Sequence, residues 1–346
     1  MTNNSQTKKR FAQLTNDTLP LSIVLPVYNV ENYIRPCVES IFCQGIDDDD
    51  FELIIVNDGS TDRSMEVIAD IITMHSNITV INQENQSLSV ARNNGIAKAK
   101  GKYVFMPDSD DLLVPNSLPY LLQNALSSKA DLVVADFLMM TNDEVEHLSL
   151  DSVVQKDGEI VEQTGEELFL YDLDPRRCYV WRTLFRREFL IEQHLSFIPD
   201  IYSQDVPYTH ECYLKAKKCL RVSWLLNVYR RGRPSAATAS YSLRKGKDFT
   251  IAISKTWELM KMDLNPALRR KLNDDVYRSF CVNLWKISLM QSAAERRQLI
   301  GFMKEVLPDL YFKNGIKQRL YTLMYHHMPI ILIYMRIMYG KVVKNR

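Results

Sequence analysis

Three carboxylates crowd into the four residues Asp108-Ser109-Asp110-Asp111, directly after the apolar run Lys102 to Met106. Like charges at that spacing repel one another, so a cluster of this kind stays ionised beside a cleft only with a cation among its oxygens. Hard oxygen ligands favour Mg²⁺ or Mn²⁺, either of which can bridge a diphosphate. A solvated turn with an Asp helix cap uses the same residue types. The run Asp47 to Asp50 is equally acidic, but it lies between a helix and a strand start and reads as a solvated loop.

The segments around the cluster alternate in period. Leu21 to Val27 is a short apolar run, and Ile34, Cys37, Val38, Ile41 and Phe42 then recur at helical spacing. Phe51 to Asn57 is a second strand, followed by Asp58-Gly59-Ser60-Thr61-Asp62, whose Ser and Thr can cap a helix carrying Met65, Ile68, Ala69 and Ile72. Ile78 to Ile81, Leu88 to Ala99, Lys102 to Met106, Leu118 to Leu126 and Asp131 to Ala135 continue the alternation. Strands separated by helices predict an α/β fold with a mostly parallel sheet covered on both faces. Ligands of such sheets lie beyond the carboxyl ends of the strands. That rule directs attention to Pro26-Val27-Tyr28-Asn29, to Asn57-Asp58-Gly59-Ser60 and to the acidic turn.

After about residue 140 the alternation weakens, and from about Ser242 the chain turns helical. The expected organisation is a flexible leader over 1–19, one α/β domain over 20–240 and a helical region over 241–346. The 346 residues are 46% hydrophobic and 25% charged, enough for a large core. Lys plus Arg (43) against Asp plus Glu (42) leaves +1, so no global basic field recruits nucleic acid. Six scattered cysteines without a C-x-x-C pair fit a reducing cytoplasm. The leader lacks an apolar stretch of the secretory kind, and no run of 18 apolar residues predicts a spanning helix. From Phe312 to Arg346, however, there is no acid against seven Lys and Arg, interleaved with Leu, Ile, Tyr and Met. That mixture suits either an anionic membrane surface or a helix packed on the protein with solvated Lys.

Four blocks carry a family resemblance: residues 21–31 (LSIVLPVYNVE), 52–62 (ELIIVNDGSTD), 84–96 (ENQSLSVARNNGI) and 101–111 (GKYVFMPDSDD). In that order they resemble the family 2 glycosyltransferases of the GT-A fold, bacterial polysaccharide type, strongly to about residue 135 and loosely to about 240. The resemblance implies a UDP-sugar donor, Mn²⁺ or Mg²⁺, a glycan or lipid-linked glycan acceptor, a hexosyl or N-acetylhexosaminyl group and inversion at the anomeric carbon, at the inner face of a cell membrane. Pro26 and Tyr28 match the base-binding strand end, where an aromatic ring stacks on a pyrimidine, and Asp58 matches the carboxylate that accepts the uracil N–H. Arg92 matches the Arg of the A-R-N motif, which can pair with phosphates or with the acidic cluster. By the same resemblance Asp108 would face the ribose and metal side, and Asp110 would be the direct metal ligand. Ser87 stands where many relatives carry Gly. Residues 198–206 (IPDIYSQDV) resemble the segment holding the catalytic base, with Gln204 in place of the usual Glu and Asp205 kept as the base. Tyr229 to Ser235 resembles the basic loop that closes over the diphosphate.

Competing readings are a silent sugar-nucleotide or glycan binding module, which needs neither Asp110 nor Asp205, and a nucleotidyltransferase, which needs a Gly-rich basic loop that Pro26-Val27-Tyr28-Asn29 does not offer. His210-Glu211 lacks the second His of a zinc-protease helix, and no G-x-G-x-x-G follows the first strand.

Overall fold

In the computed structural model, which describes Phe11 and residues 18–233, 241–329 and 331, the apolar runs become nine strands of one sheet among the described residues. In chain order the elements are β1 (Leu21–Val27), α1 (Ile34–Phe42), β2 (Phe51–Asp58), α2 (Ala69–Met74), β3 (Ile78–Gln83), α3 (Leu88–Lys98), β4 (Tyr103–Phe105) and β5 (Leu112–Leu113). They continue with α4 (Ser117–Ser128), β6 (Leu132–Thr141), α5 (Asn142–Glu146), β7 (Ile160–Gln163), α6 (Gly165–Tyr171), β8 (Thr183–Arg186), α7 (Arg187–Glu192), α8 (Asp205–Lys215) and β9 (Cys219–Arg231). Four helices follow: α9 (Leu243–Glu258), α10 (Pro266–Leu289), α11 (Ala293–Val306) and α12 (Ile316–His327).

The strand order is β3-β2-β1-β4-β8-β6-β9-β5, with β7 also paired to β9. β3, β2, β1 and β4 are parallel, β8 is antiparallel to both β4 and β6, and β6 and β9 are parallel. All seven residues of β1 are buried, as a central strand covered on both faces requires. On α3 the buried positions are Ser89, Ala91, Arg92 and Gly95, mostly small, so the helix lies close against the sheet. A Cβ at Gly95 would fall 2.2 Å from Val24 Cγ1, and that close approach carries Arg92 in with the helix.

The acidic turn is anchored by a residue with no motif. Gln44 is 1% exposed. Its amide donates to the carbonyls of Ser40 and Val114, both at 3.0 Å, and its oxygen accepts from Ser117 N and Oγ at 3.1 Å and from Leu118 N at 3.0 Å. Two of those donors are amides of the first turn of α4, which have no partner inside the helix. Ser40 Oγ also accepts from Leu113 N at 3.0 Å, so α1 and Gln44 just beyond it hold the far end of β5, the strand that follows the acidic turn directly.

Two compact units emerge. One comprises the sheet and its helices; the other comprises 169–178, 201–211 and the helices from α9 onward. Sequence alone assigns 20–240 to a single domain, whereas two of its segments pack with the helices. The reason is visible in their side chains: Lys271 on α10 donates to Leu173 O at 3.0 Å and lies 5.2 Å over the Phe169 ring, and His210 Nε2 is 3.5 Å from Asp275. Within this unit α10 buries Leu268, Leu272, Val276, Phe280, Leu284 and Ile287 along one face. α12 buries Gln318, Thr322, Met324 and Tyr325, with Tyr325 Oη donating to Met303 O at 2.6 Å. Of the leader, only Phe11, Thr18 and Leu19 are among the described residues, and Phe11 is buried in the sheet core.

Replacing Gln44 by Leu strands two helix-start amides and the Val114 carbonyl. We expect Gln44→Leu to cost about 2–3 kcal/mol of stability, read as a lower urea midpoint at unchanged slope.

Candidate active site

The ends of β1 and β2 are laced together. Asn29 Oδ1 accepts from Thr61 N at 2.8 Å, Ser64 Oγ from Val30 N at 2.8 Å, Asp62 Oδ2 from Glu31 N at 3.0 Å, and Glu31 Oε2 from Arg63 N at 2.9 Å. The expectation that Ser60 and Thr61 cap a helix is therefore corrected. The polar side chains of 60–64 bridge to the loop after β1, and the following turn, a 3-10 helix over Glu66–Ile68, has no side-chain cap. Their preference for backbone amides is satisfied across strands rather than along the chain. The lacing leaves Pro26 buried in β1 and the Tyr28 ring 49% exposed at its end.

Asp58, 3% exposed, holds the next loop. Its Oδ1 accepts from Gln83 Nε2 at 2.7 Å and Gln86 N at 2.8 Å, and its Oδ2 accepts from Ser87 N at 3.1 Å. Gln83 is held in turn by Asn94 Nδ2 at 2.7 Å. Gly59 is needed here, since at φ +72° a Cβ would meet Asn85 N at 2.8 Å. Ser87 has φ 96° and ψ 156°, a region open almost only to glycine. Its hydroxyl accepts from Asp200 N at 3.2 Å. The non-glycine residue at this position thus keeps the glycine conformation at a strain cost of about 1–3 kcal/mol. We expect Ser87→Gly to raise stability by about 1 kcal/mol in urea titration; a loss would mean that the bond to Asp200 N outweighs the strain.

At the end of α3's buried face, Arg92 is 0% exposed and its Nη2 donates to Asp108 Oδ1 at 2.7 Å. Its guanidinium lies 5.2 Å over the Phe197 ring. Asn93 clamps Phe197 at both backbone groups, donating to its O at 2.8 Å and accepting from its N at 2.9 Å. The Arg and Asn of one motif so act together, the second fixing the ring against which the first is packed.

Asp108, Asp110 and Asp111 converge, each with an oxygen within 4.8 Å of the others. Arg233 Nε is 2.5 Å from Asp110 Oδ2, and Arg230 donates through N to Asp111 Oδ1 at 2.8 Å and through Nε to Asp110 O at 3.1 Å. Both guanidinium groups stand over one ring, Tyr33, at 5.0 and 5.5 Å. Burial, and then the Asp108 charge, pushes the Asp110 carboxyl above its usual range, with Arg233 opposing. Burial, and then the charges of Asp110 and Asp108, pushes Asp111 well above it. Asp111 Oδ2 is buried and accepts no hydrogen bond. Three hard oxygens held together against their own repulsion, one with its lone pairs unused, fit a Mg²⁺ or Mn²⁺ ion. Sequence gave Asp111 no role beyond membership of the cluster, and neither Tyr33 nor Phe197 carried a motif.

Asp205 belongs to the helical unit, where it is the first residue of α8 and half-buried; Gln204 beside it is 5% exposed. One turn on, His210 is fully buried, with Nδ1 2.7 Å from Val206 O and Nε2 facing Asp275. Lys271 pairs with the same carboxylate. Burial, then the charges of Asp275 and Asp205, pushes the Cys178 thiol well up. His210 is thus a core histidine supporting the helix that Asp205 begins.

Laced strand ends, an exposed ring and an arginine-paired acidic turn on a mostly parallel sheet are the layout of a GT-A fold. Residues 22–190 match the family model Glycosyl transferase family 2. The chain is 31% identical to YibD, an uncharacterized glycosyltransferase of Escherichia coli (strain K12), over 315 residues and 89% of each protein. It is 33% identical over 232 residues to EpsJ, an uncharacterized glycosyltransferase of Bacillus subtilis (strain 168), a match spanning 64% of each. A crystal structure of S. aureus TarS 1-349 in complex with UDP-GlcNAc superposes with a TM-score of 0.68, covering 83% of this chain and 80% of that one at 21% identity. The protein belongs to the family 2 glycosyltransferases, and its fold is theirs.

Folding raises the pKa of both Asp110 and Asp111, so their protonated forms favour the folded state. That contribution is complete below the unfolded carboxylate range of about 4 and is lost as pH rises through the folded values. A cation binds the ionised forms, so its stabilisation runs the opposite way. We expect Mn²⁺ or Mg²⁺ at a hundredfold excess over Kd to stabilise the fold by about 2.7 kcal/mol, read as a rise in Tm that is larger at about pH 8 than at about pH 5, and Asp110→Ala to remove the shift.

Proposed function

We propose that the protein transfers a hexosyl or N-acetylhexosaminyl group from a UDP-sugar to a hydroxyl of a glycan or lipid-linked glycan, in the synthesis of a cell-surface polysaccharide. The observation that carries this reading is the acidic turn with its three arginines, beside strand ends that expose Tyr28. Tyr28, at the strand end that Pro26 leads into, would stack on the uracil ring. Asp58 would accept from the base N–H through the lone pair its three present bonds leave on Oδ2. The UDP-GlcNAc bound by TarS, a likeness of fold, supports a uridine donor.

Asp110, with Asp108 and Asp111, would hold the divalent ion, whose chemistry is to offset charge on the departing diphosphate. Arg92, Arg230 and Arg233 add fixed positive charge on the same side. With the leaving group so stabilised, the remaining need is a base. Asp205 would remove the proton from the acceptor hydroxyl as its oxygen attacks the anomeric carbon opposite the diphosphate, inverting that centre. Gln204, an amide, cannot take that proton. A lipid-linked acceptor implies an enzyme working at the inner face of a membrane.

The test is a donor screen with Mn²⁺ or Mg²⁺, scoring hydrolysis and transfer. Asp205→Asn should lose about 10²- to 10⁴-fold in turnover with donor binding little changed. Near wild-type transfer by that variant, or a product retaining the donor's anomeric configuration, would remove Asp205 from this role.

A further inference from the structure

Helix α12, which lies within the basic, apolar segment, presents one face to the protein and another to solvent. On α12, Gln318, Thr322, Met324 and Tyr325 are buried, whereas Ile316 is 88%, Leu320 49% and Leu323 53% exposed. The exposed three recur at i, i+4 and i+7, which places them in one stripe. Lys317 and Arg319, both exposed, flank it, and Lys313 precedes it beside Tyr311, itself 49% exposed.

Gln318 bonds Asn273, Tyr321 packs on Tyr277 and Tyr325 on Phe280, so α12 and α10 run side by side in the same direction. Ile316, Leu320 and Leu323 lie on the side of α12 away from these contacts, and Ile331 beyond the helix is 49% exposed. A soluble surface seldom gathers this many large apolar side chains without a partner. Among the described residues no helix is long and apolar enough to cross a membrane.

We propose that the outer face of α12 lies in the interface of an anionic bilayer while its inner face stays packed in the helical unit. Charge selects this occupant: from Phe312 to Arg346 the sequence has seven Lys and Arg and no acid. Apolar side chains flanked by cations that can reach headgroups, with Tyr311 at the margin, match the layers of such an interface. The proposal builds on the reading of a membrane-borne acceptor, but it concerns a surface made of residues outside the donor machinery.

Deleting the end of the chain cannot test this, because Phe312, Thr322 and Tyr325 are core residues. Substitutions on the outer face can. The full chain is sedimented with phosphatidylcholine vesicles containing about one third phosphatidylglycerol, and with pure phosphatidylcholine. The wild type should prefer the anionic vesicles, and added salt should weaken binding. Leu320→Glu/Leu323→Glu and Lys317→Glu/Arg319→Glu should each lose at least about tenfold in partitioning, with unchanged circular dichroism and unchanged donor hydrolysis in solution. Equal partitioning of variants and wild type overturns the proposal, as does a wild type that ignores anionic vesicles. A dimer that the Leu pair dissociates, without vesicle binding, would assign the face to a second copy. Loss of donor hydrolysis in the wild type would strike the transferase reading and leave the vesicle result standing.

Discussion

Repulsion among Asp108, Asp110 and Asp111 is the constraint around which the sheet unit is arranged. A turn carrying three carboxylates within 4.8 Å is unfavourable alone. The fold answers with three arginines from two directions: Arg92 arrives on α3, and Arg230 and Arg233 come from the end of β9. Each of these in turn needs support. Gly95 lets α3 approach, Asn93 and Phe197 hold Arg92, and the Tyr33 ring backs the other two guanidinium groups. The cost of assembling the charges is spread through contacts that are themselves unremarkable.

A second theme is that the loops at the strand ends are rigid in spite of their polarity. Asp58 accepts three hydrogen bonds, and residues 60–64 bridge to the loop after β1. Polar groups hydrogen-bonded across strands in this way specify one arrangement. Tyr28 can therefore stay exposed without its backbone wandering, which lowers the entropy lost when a planar ligand docks.

Much of the sheet unit is legible in the sequence. β1, β2, β3 and α3 begin within a residue of where period and composition put them, and β1 and β2, almost wholly buried, read as unbroken apolar runs. Tyr28, Asp58 and the acidic turn stand at strand ends, where ligands of such sheets lie. The supporting shell was not legible. Gln44 and Asn93 are single amides whose partners are up to 104 residues away, and nothing in their neighbourhoods marks them. The capping role expected of Ser60 and Thr61 fails because a hydroxyl near a helix start and a hydroxyl bonded across strands have the same local sequence. The helical unit's claim on 169–178 and 201–211 rests on tertiary pairs such as His210 and Asp275, which periodicity cannot reveal.

The position of β8 has a consequence for biogenesis. β4, the strand that delivers the acidic turn, pairs with β1 on one side and with β8, residues 183–186, on the other. Until the ribosome has released that later segment, the nascent sheet ends at an open β4 edge, a template for pairing with another chain. The Phe197 wall beside Arg92 is missing for equally long. The first 135 residues, which carry nearly all the recognisable motifs, thus lack the strand that pairs with β4 and the ring that packs on Arg92. Contacts of such high sequence separation are the kind that slows folding.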